Sequence, residues 1–535
     1  MTPRSKTFLR TVFVALGITT VCQLWLLAPF VTRTHSLIYH WSGSALSLFL
    51  PPILSFFSFW LAATLVFLVV RAPGRVRGAL WLGVIAFAPW FELRNWAFLT
   101  NSKFPHVLGV MLFSLGAIAP LLSLVFWRPA FEKKLEPVVN FASTVYLAVG
   151  VTGVVALCQI AWFGWNARSL NAELPLHRPV NSESTRDKRP RIIWIVFDEL
   201  SHEQIYERRF SGLQLPAFDR LNEQATIFTN VIPAGIQTEL VMTSLMTGLA
   251  VDAVRPSSNE KELSLHSATA AWQRFDQHDT VFQDALDLNH KTGVAGWYVP
   301  YCRIMPDVLD SCFWTSNTAT GNTMFPRRTV RSNMATPWIQ FAGERLGRQL
   351  APLVLQGGTI EEFDAKEHIF DYVTLGDAAD QILDDRSVGF ALIHLPIPHP
   401  GGIYDRVSGQ FATEHSSYLD NLALADRFLG HIESRLRQSD QWDSSTIVLM
   451  GDHSWRTKLF WKRSSDWRDE EQVASGGGEF DERPAYAVKL PEQREGTRID
   501  TPFAALNTRS LFQLLLAQRI RSADELSTWV KQTEH

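Results

Sequence analysis

Five long apolar segments crowd the first third of the chain, at about 9–31, 45–70, 78–99, 104–127 and 140–164. Each is long enough to carry a helix through the roughly 30 Å hydrocarbon layer of a bilayer. The third is the weakest, because Glu92 and Arg94 interrupt it near one end. A chain with this pattern divides into a membrane part and a remainder. No small-residue cleavage site follows the first segment and four more apolar segments come after it, so a cleavable signal peptide fits poorly. Lysine and arginine in the short loops give the orientation. Arg4, Lys6, Arg10, Arg71, Arg75, Arg77, Arg128, Lys133 and Lys134 fall on one side, against Arg33, Arg94 and Lys103 on the other. This bias puts the N-terminus in the cytoplasm, and five spans then deliver everything after about residue 165 to the far side.

The rest of the composition sets limits. A net charge of −3 gives no argument for nucleic acid as a partner. Cys22 and Cys158 fall in expected spans and read as small apolar residues. Cys302 and Cys312, in "YCRIMPDVLDSC", are the only pair in the exported part. A disulfide is expected in an oxidising compartment, with Pro306 and "PDVLD" letting the chain double back, and two free thiols are the alternative. Zinc at this pair is disfavoured, since no nearby cysteine or histidine completes a site.

The expected organisation is a transmembrane domain over 1–165, a linker over 166–190 and an exported domain over 191–535. In the last, apolar runs of strand length recur: "IIWIVF", "TIFTNVI", "TGVAGWYV", "VGFALIHL" and "TIVLM". Helical patterns lie between them, the clearest being "YLDNLALADRFLGHIESRL". The alternation predicts an α/β fold with a mostly parallel sheet covered on both faces. Ligands of such sheets gather at the carboxyl ends of the strands. "IIWIVF" runs into Asp198 and Glu199, "TIVLM" into Asp452 and His453 after one glycine, and "VGFALIHLPIPHP" carries His394 and His399. Thr238 follows "TIFTNVI" and opens a helical stretch that Gly248 would stop. Threonine is also a favoured N-cap, so a purely structural role is the competing reading. Carboxylates, an imidazole and a hydroxyl at one sheet edge are the ligand types of a divalent-metal site with a hydroxyl to activate.

These residues resemble the alkaline phosphatase/sulfatase superfamily over nearly all of 191–535. "SSYLDNLALADRFLGHIESRLRQSDQWDSSTIVLMGDHSW" is similar to the helix, strand and Asp-His carrying late metal ligands there, and "IIWIVFDEL" to the first strand with its acidic ligand. "RPAYAVKLPEQ" resembles a late strand and turn, and the position ten residues before the glycine of "TG", here Thr238, that of the nucleophile. A true sulfatase needs a cysteine or serine at 238 and an arginine four residues on, where this chain has Thr238 and Met242; "AGWYVPYC" lacks the lysine and histidine of "GKWHLG". Sulfate-ester hydrolysis is therefore disfavoured. A threonine nucleophile behind five spans instead resembles the bacterial phosphoethanolamine and phosphoglycerol transferases, the latter lipoteichoic-acid-synthase-like. "IHLPIPHPGGIYDR" is similar to the "H-x-x-x-x-H-G-P" stretch of the former, but no histidine follows His453 until His535, so one auxiliary site of that subfamily is missing.

The resemblance implies a multi-pass protein of the bacterial inner (cytoplasmic) membrane with a periplasmic catalytic domain. The implied reaction moves a phospholipid head group through a phosphothreonine onto an envelope lipid or polysaccharide. Its partners would be the phospholipid donor, that acceptor and the membrane. Asp198, Thr238, Asp452 and His453 are the expected ligands of one divalent ion, zinc first, with manganese, magnesium or calcium as alternatives. Thr238 is the expected nucleophile and His399 the group that handles the leaving or attacking oxygen. Arg456 and Lys458 are expected to grip the phosphate or head group, with a solvated loop as the competing reading, Glu199 to support the ligands or add one, and His394, on the strand itself, to belong to the core or line the substrate site. Two other readings stay open: a phosphatase or phosphodiesterase of the same superfamily, and a catalytically decayed envelope assembly protein.

Overall fold

The computed structural model describes the chain except for residues 1–2, 33, 71, 73, 101–104, 127, 172–174, 178–188, 257–261, 269, 317–325, 342–359, 458–460, 462–466 and 534–535. Two compact units emerge. One comprises Met1–Ile38, Gly43–Asn171 and Ala319–Gly357; the other comprises Tyr39–Ser42, Ala172–Thr318 and Gly358–His535. Two segments, Tyr39–Ser42 and Ala319–Gly357, thus fall outside a purely sequential division of the chain. Much of the stretch expected as a linker, 166–190, lies outside the described residues.

The first unit is built on helices α1 (Pro3–Thr32), α2 (Ala45–Val69), α3 (Arg75–Leu99), α4 (His106–Val125) and α5 (Pro129–Asn166). All five are long and apolar enough to cross a membrane. α5 starts at Pro129 rather than near 140, because proline is pre-set for a first helical turn, where its missing N–H costs nothing. Leu61, Leu65, Val107, Met111, Leu121, Phe141 and Val151 are exposed on the helices. A surface that apolar is suited to lipid rather than water, and the protein is membrane-anchored. The helix Val330–Phe341 also belongs to this unit: its Trp338 stacks on Phe59 at 3.5 Å and donates from Nε1 to Ser58 Oγ at 2.8 Å.

The second unit is an α/β domain. Its nine-stranded sheet comprises β1 (Leu176–His177), β2 (Ile192–Asp198), β3 (Thr226–Phe228), β4 (Lys291–Trp297), β5 (Ser311–Thr315), β6 (Val388–Pro398), β7 (Thr446–Gly451), β8 (Tyr486–Lys489) and β9 (Thr497–Ile499). The order is β1-β5-β4-β6-β2-β7-β8-β3-β9. β5, β4, β6, β2 and β7 run parallel; β8 is antiparallel to both its neighbours. The uninterrupted apolar runs have the reason expected of them. On β2, Ile193, Ile195 and Phe197 enter one core, while Ile192, Trp194 and Val196 enter the core on the opposite face. "TIFTNVI" is not one strand, however: Val231–Ile232 leaves the main sheet and pairs with Phe503–Ala504. Thr229 lies at the break, its hydroxyl donating to Asp500 at 2.6 Å.

Cys302 and Cys312 form the expected disulfide, with Cα atoms 5.7 Å apart. It closes the return from a short helix, Tyr301–Ile304, into β5. Three further helices matter for the site: α6 (Thr238–Thr247), α7 (Ile360–Asp384) and α8 (Tyr418–Gln438). α8 opens with a full capping box between Ser417 and Asp420. α6 ends at Gly248, whose φ of +74° is the left-handed C-terminal stop that glycine adopts without strain.

Candidate active site

The site is assembled where the adjacent strands β6, β2 and β7 end. Phe197 pairs with Gly451 across β2 and β7, so the residues that follow, Asp198 and Asp452, emerge side by side. Gly451 is required there: a Cβ on it would lie 2.6 Å from the Leu200 carbonyl oxygen. Asp452 then caps the turn, one carboxylate oxygen accepting from the Glu199 amide at 3.0 Å and the His453 amide at 2.8 Å. Glu199 adopts a φ of +67°, unusual for a residue with a side chain. Its surroundings over-determine that conformation. Besides the bond to Asp452, its carbonyl accepts from the Tyr418 hydroxyl of α8 at 2.9 Å.

Thr238 is the first residue of α6, with Gln237 in the capping position. The helix is not capped by a side chain, and the threonine hydroxyl is turned elsewhere. Its Oγ1 donates to Asp198 Oδ2 at 3.1 Å and lies 3.4 Å from His453 Nε2. His453 Nε2 in turn lies 3.2 Å from Asp452 Oδ2 and 3.6 Å from Asp198 Oδ1. Thr238, Asp198, Asp452 and His453 are all buried, and the structure brings these four expected ligands into one cluster.

His394 joins them. It pairs with Val196 on β2, short of the strand end, yet its ring reaches the cluster because the Tyr301 hydroxyl holds Nδ1 at 2.8 Å. Single ligand atoms of Asp198, His394 and Asp452 lie within 4.8 Å of one another, as do those of Asp198, Glu199 and His453. The two sets are not equal. Glu199 has both oxygens engaged, Oε1 by Arg456 Nε at 2.6 Å and Nη2 at 2.5 Å, Oε2 by Trp461 Nε1 at 2.7 Å. Asp198 Oδ1, Asp452 Oδ2 and His394 Nε2 are buried and make no hydrogen bond among the described residues. Three orphaned donor atoms so close together suit a cation, since an unpaired buried polar atom is otherwise costly.

Electrostatics point the same way. Burial, with Asp452 adding, pushes the Asp198 carboxyl well above the usual range, and burial also raises Asp452. Burial lowers His394 to about 4, and burial with Arg456 lowers His453 to about 3, which keeps both imidazoles in the neutral form that binds metals. The residues present fit a divalent metal: Asp198 and Asp452 would hold it together with the His394 and His453 imidazoles, and Thr238 lies in the same cluster. Removing it by chelation is expected to lower the melting temperature of the detergent-solubilised protein. An ion at a hundred times its Kd contributes about 2.7 kcal/mol. Asp452→Asn should melt at one temperature with or without added metal. A wild-type melting temperature indifferent to chelator and to added zinc or manganese would contradict the assignment.

The remaining expected residues separate. Arg456, 6% exposed, is committed to Glu199 and to the Ile236 carbonyl, to which Nη1 donates at 3.2 Å. Lys458 lies outside the described residues. His399 is half-buried, its ring against Trp297 with centroids 4.9 Å apart and Nδ1 3.0 Å from the Pro400 carbonyl oxygen. Burial, with Arg456 and the neighbouring His368 and His453, holds its pKa well below the usual range.

The model of the Sulfatase family matches residues 190–485. No curated protein matches the chain. Among solved structures, a phosphonate monoester hydrolase of Agrobacterium radiobacter is 13% identical, with a TM-score of 0.37 over 62% of this chain and 74% of that one. The lipoteichoic acid synthase LtaP from Listeria monocytogenes is 13% identical, with a TM-score of 0.33 over 64% of this chain and 75% of that one. The PsFucS1 sulfatase from Pseudoalteromonas sp. is 13% identical, with a TM-score of 0.40 over 62% and 68%. Family membership rests on the sequence match, not on these likenesses.

Proposed function

The chain belongs to the sulfatase family, and from that premise we propose that it is a membrane-anchored phosphotransferase working through Thr238. The observation that carries this reading is the threonine hydroxyl, which leaves the helix uncapped and lies among Asp198, Asp452 and His453. Sulfatase chemistry proper needs a cysteine or serine convertible to formylglycine, and Thr238 offers neither.

A divalent cation supplies positive charge that lowers the pKa of a hydroxyl and neutralises phosphoryl oxygens. The protein's own residues do the rest. Thr238 Oγ1 forms a bond to the phosphorus of a phospholipid as the bond from phosphorus to the diacylglycerol oxygen breaks. The threonine proton, directed at Asp198 Oδ2, is passed on to that oxygen, so diacylglycerol leaves neutral. An acceptor hydroxyl then attacks the phosphothreonine, the bond from phosphorus to Oγ1 breaks, and the acceptor's proton ends on Oγ1, restoring the Thr238 hydroxyl. His399, held neutral, is the group suited to take the acceptor's proton. The amides of Thr238 and Glu239 precede the first internal bonds of α6, which run from Leu240 and Val241 to the Gln237 carbonyl. They are the natural partners of the phosphoryl oxygens. The donor head group is phosphoethanolamine or phosphoglycerol, the acceptor an envelope lipid or glycan, and the α/β unit faces the periplasm.

Purified protein in detergent, supplied separately with phosphatidylethanolamine and phosphatidylglycerol, is expected to release diacylglycerol from one of them. Release should accelerate when an envelope lipid or glycan acceptor is added. Head-group phosphate appearing in water at the same rate with and without acceptor would replace the transferase by a hydrolase.

A further inference from the structure

His40 directly follows a short helix, Thr34–Tyr39, between α1 and α2, far in sequence from the catalytic residues, yet Tyr39–Ser42 belong to the α/β unit. The segment is anchored there. Tyr39 and Trp41 are each 1% exposed, and Tyr39 is part of the core on the α6 side of the sheet. Arg303, next to the disulfide at Cys302, donates from Nη1 to the Tyr39 carbonyl at 3.2 Å and from Nη2 to the Trp41 carbonyl at 3.0 Å. Ser42 Oγ donates to the Ser316 carbonyl at 3.2 Å. His40 is thereby fixed with its ring stacked on Tyr298, centroids 4.3 Å apart, and Nδ1 3.3 Å from the Tyr298 carbonyl oxygen. Its Nε2 lies 3.5 Å from Oε2 of Glu239, the residue after the nucleophile. Tyr298 belongs to the same surroundings: burial raises its hydroxyl pKa, with Glu239 and then Asp198 adding.

We propose that His40 is a positioning residue for the transfer reaction, holding the Glu239 carboxylate away from the phosphate that approaches Thr238. The reason is electrostatic. The N-terminus of α6 attracts any anion through its free amides and dipole. Glu239, the acidic residue of the first turn, competes for that place and repels an incoming phosphodiester. Held against His40 Nε2, the carboxylate is kept out of that place. Nothing in the loop sequence marks His40 for this role.

The inference rests on Thr238 being the nucleophile, so phosphothreonine formation by the wild type is measured alongside. Its absence there would overturn the proposed function itself, and with it this role. With a wild type that reacts, His40→Ala is expected to lower kcat/KM for the phospholipid donor about tenfold, chiefly through KM. Glu239→Gln, which leaves the backbone amide in place, is measured alone and sets the reference level for the cycle. The double variant His40→Ala/Glu239→Gln should recover to that level, because removing the unpaired charge removes the need for its partner. A merely structural histidine gives no such rescue. Should His40→Ala melt well below the wild type, His40→Phe, which keeps a ring against Tyr298 but brings no donor to Glu239, replaces it in the same cycle. A His40 variant with wild-type kcat/KM, or a double variant as impaired as the single one, would overturn the proposal.

Discussion

Thr238→Ala is expected to lose donor turnover by on the order of 10⁴-fold or more, the scale seen when a covalent nucleophile is removed. Folding and metal binding should survive. The hydroxyl does not cap α6, so alanine at this first helical position should cost well under the roughly 1 kcal/mol of a lost cap. Asp198, Asp452, His453 and His394 remain in place to hold the ion. Thr238→Ser keeps an oxygen next to Asp198 Oδ2 and is expected to retain part of the activity. Steady-state release of diacylglycerol, measured together with metal content and melting temperature, separates the outcomes. An alanine variant that loses stability but keeps its rate would return Thr238 to a structural role.

The second large effect concerns Glu199 and Arg456. Glu199 is fully buried, and its carboxylate is paired by two guanidinium nitrogens and the Trp461 indole. Arg456→Met removes the counter-charge and leaves a buried carboxylate behind, a change that typically costs about 3–5 kcal/mol. Because Glu199 carries the turn between Asp198 and Leu200, the ligand cluster should loosen as well, and metal affinity should fall with stability. Glu199→Gln combined with Arg456→Met is expected to recover much of the stability, since no charge is then left unpaired. Thermal melting of the two variants in detergent checks this. An Arg456→Met protein that melts like the wild type but binds donor lipid poorly would place the guanidinium on the phosphate instead.

The parts of this protein legible in its sequence are those governed by local pattern. Spans of about twenty apolar residues are set by bilayer thickness, and all five are helices. Runs such as "IIWIVF" are apolar on both faces because both faces are covered, which marks them as central strands. Asp198, Asp452 and His453 were visible because a parallel sheet brings the carboxyl ends of its strands together. Other features depended on partners distant in the chain. His394 looked like a strand-interior residue, and only the Tyr301 hydroxyl, 93 positions away, shows its ring held at the cluster. Arg456 and Lys458 read alike as exposed cations, but a buried carboxylate 257 residues earlier claims Arg456. The break in "TIFTNVI" reflects the pairing of Val231–Ile232 with Phe503–Ala504, some 270 residues on, and no periodicity reports such a partner. The segment Tyr39–Ser42 was hidden for the same reason: flanked by apolar spans, it takes its place from contacts with Arg303, Tyr298 and Glu239.

The central claim is that Thr238 becomes covalently bonded to phosphorus during turnover. Its most direct test is mass spectrometry of the Thr238-containing peptide after acid quench of the metal-loaded protein mixed with phospholipid in the absence of acceptor. The expected result is a phosphorylated head group on Thr238, with a mass that identifies it as phosphoethanolamine or phosphoglycerol, and its disappearance when acceptor is added. An unmodified Thr238 peptide in a preparation that is turning over donor, or a stable adduct on any other residue, would contradict the account.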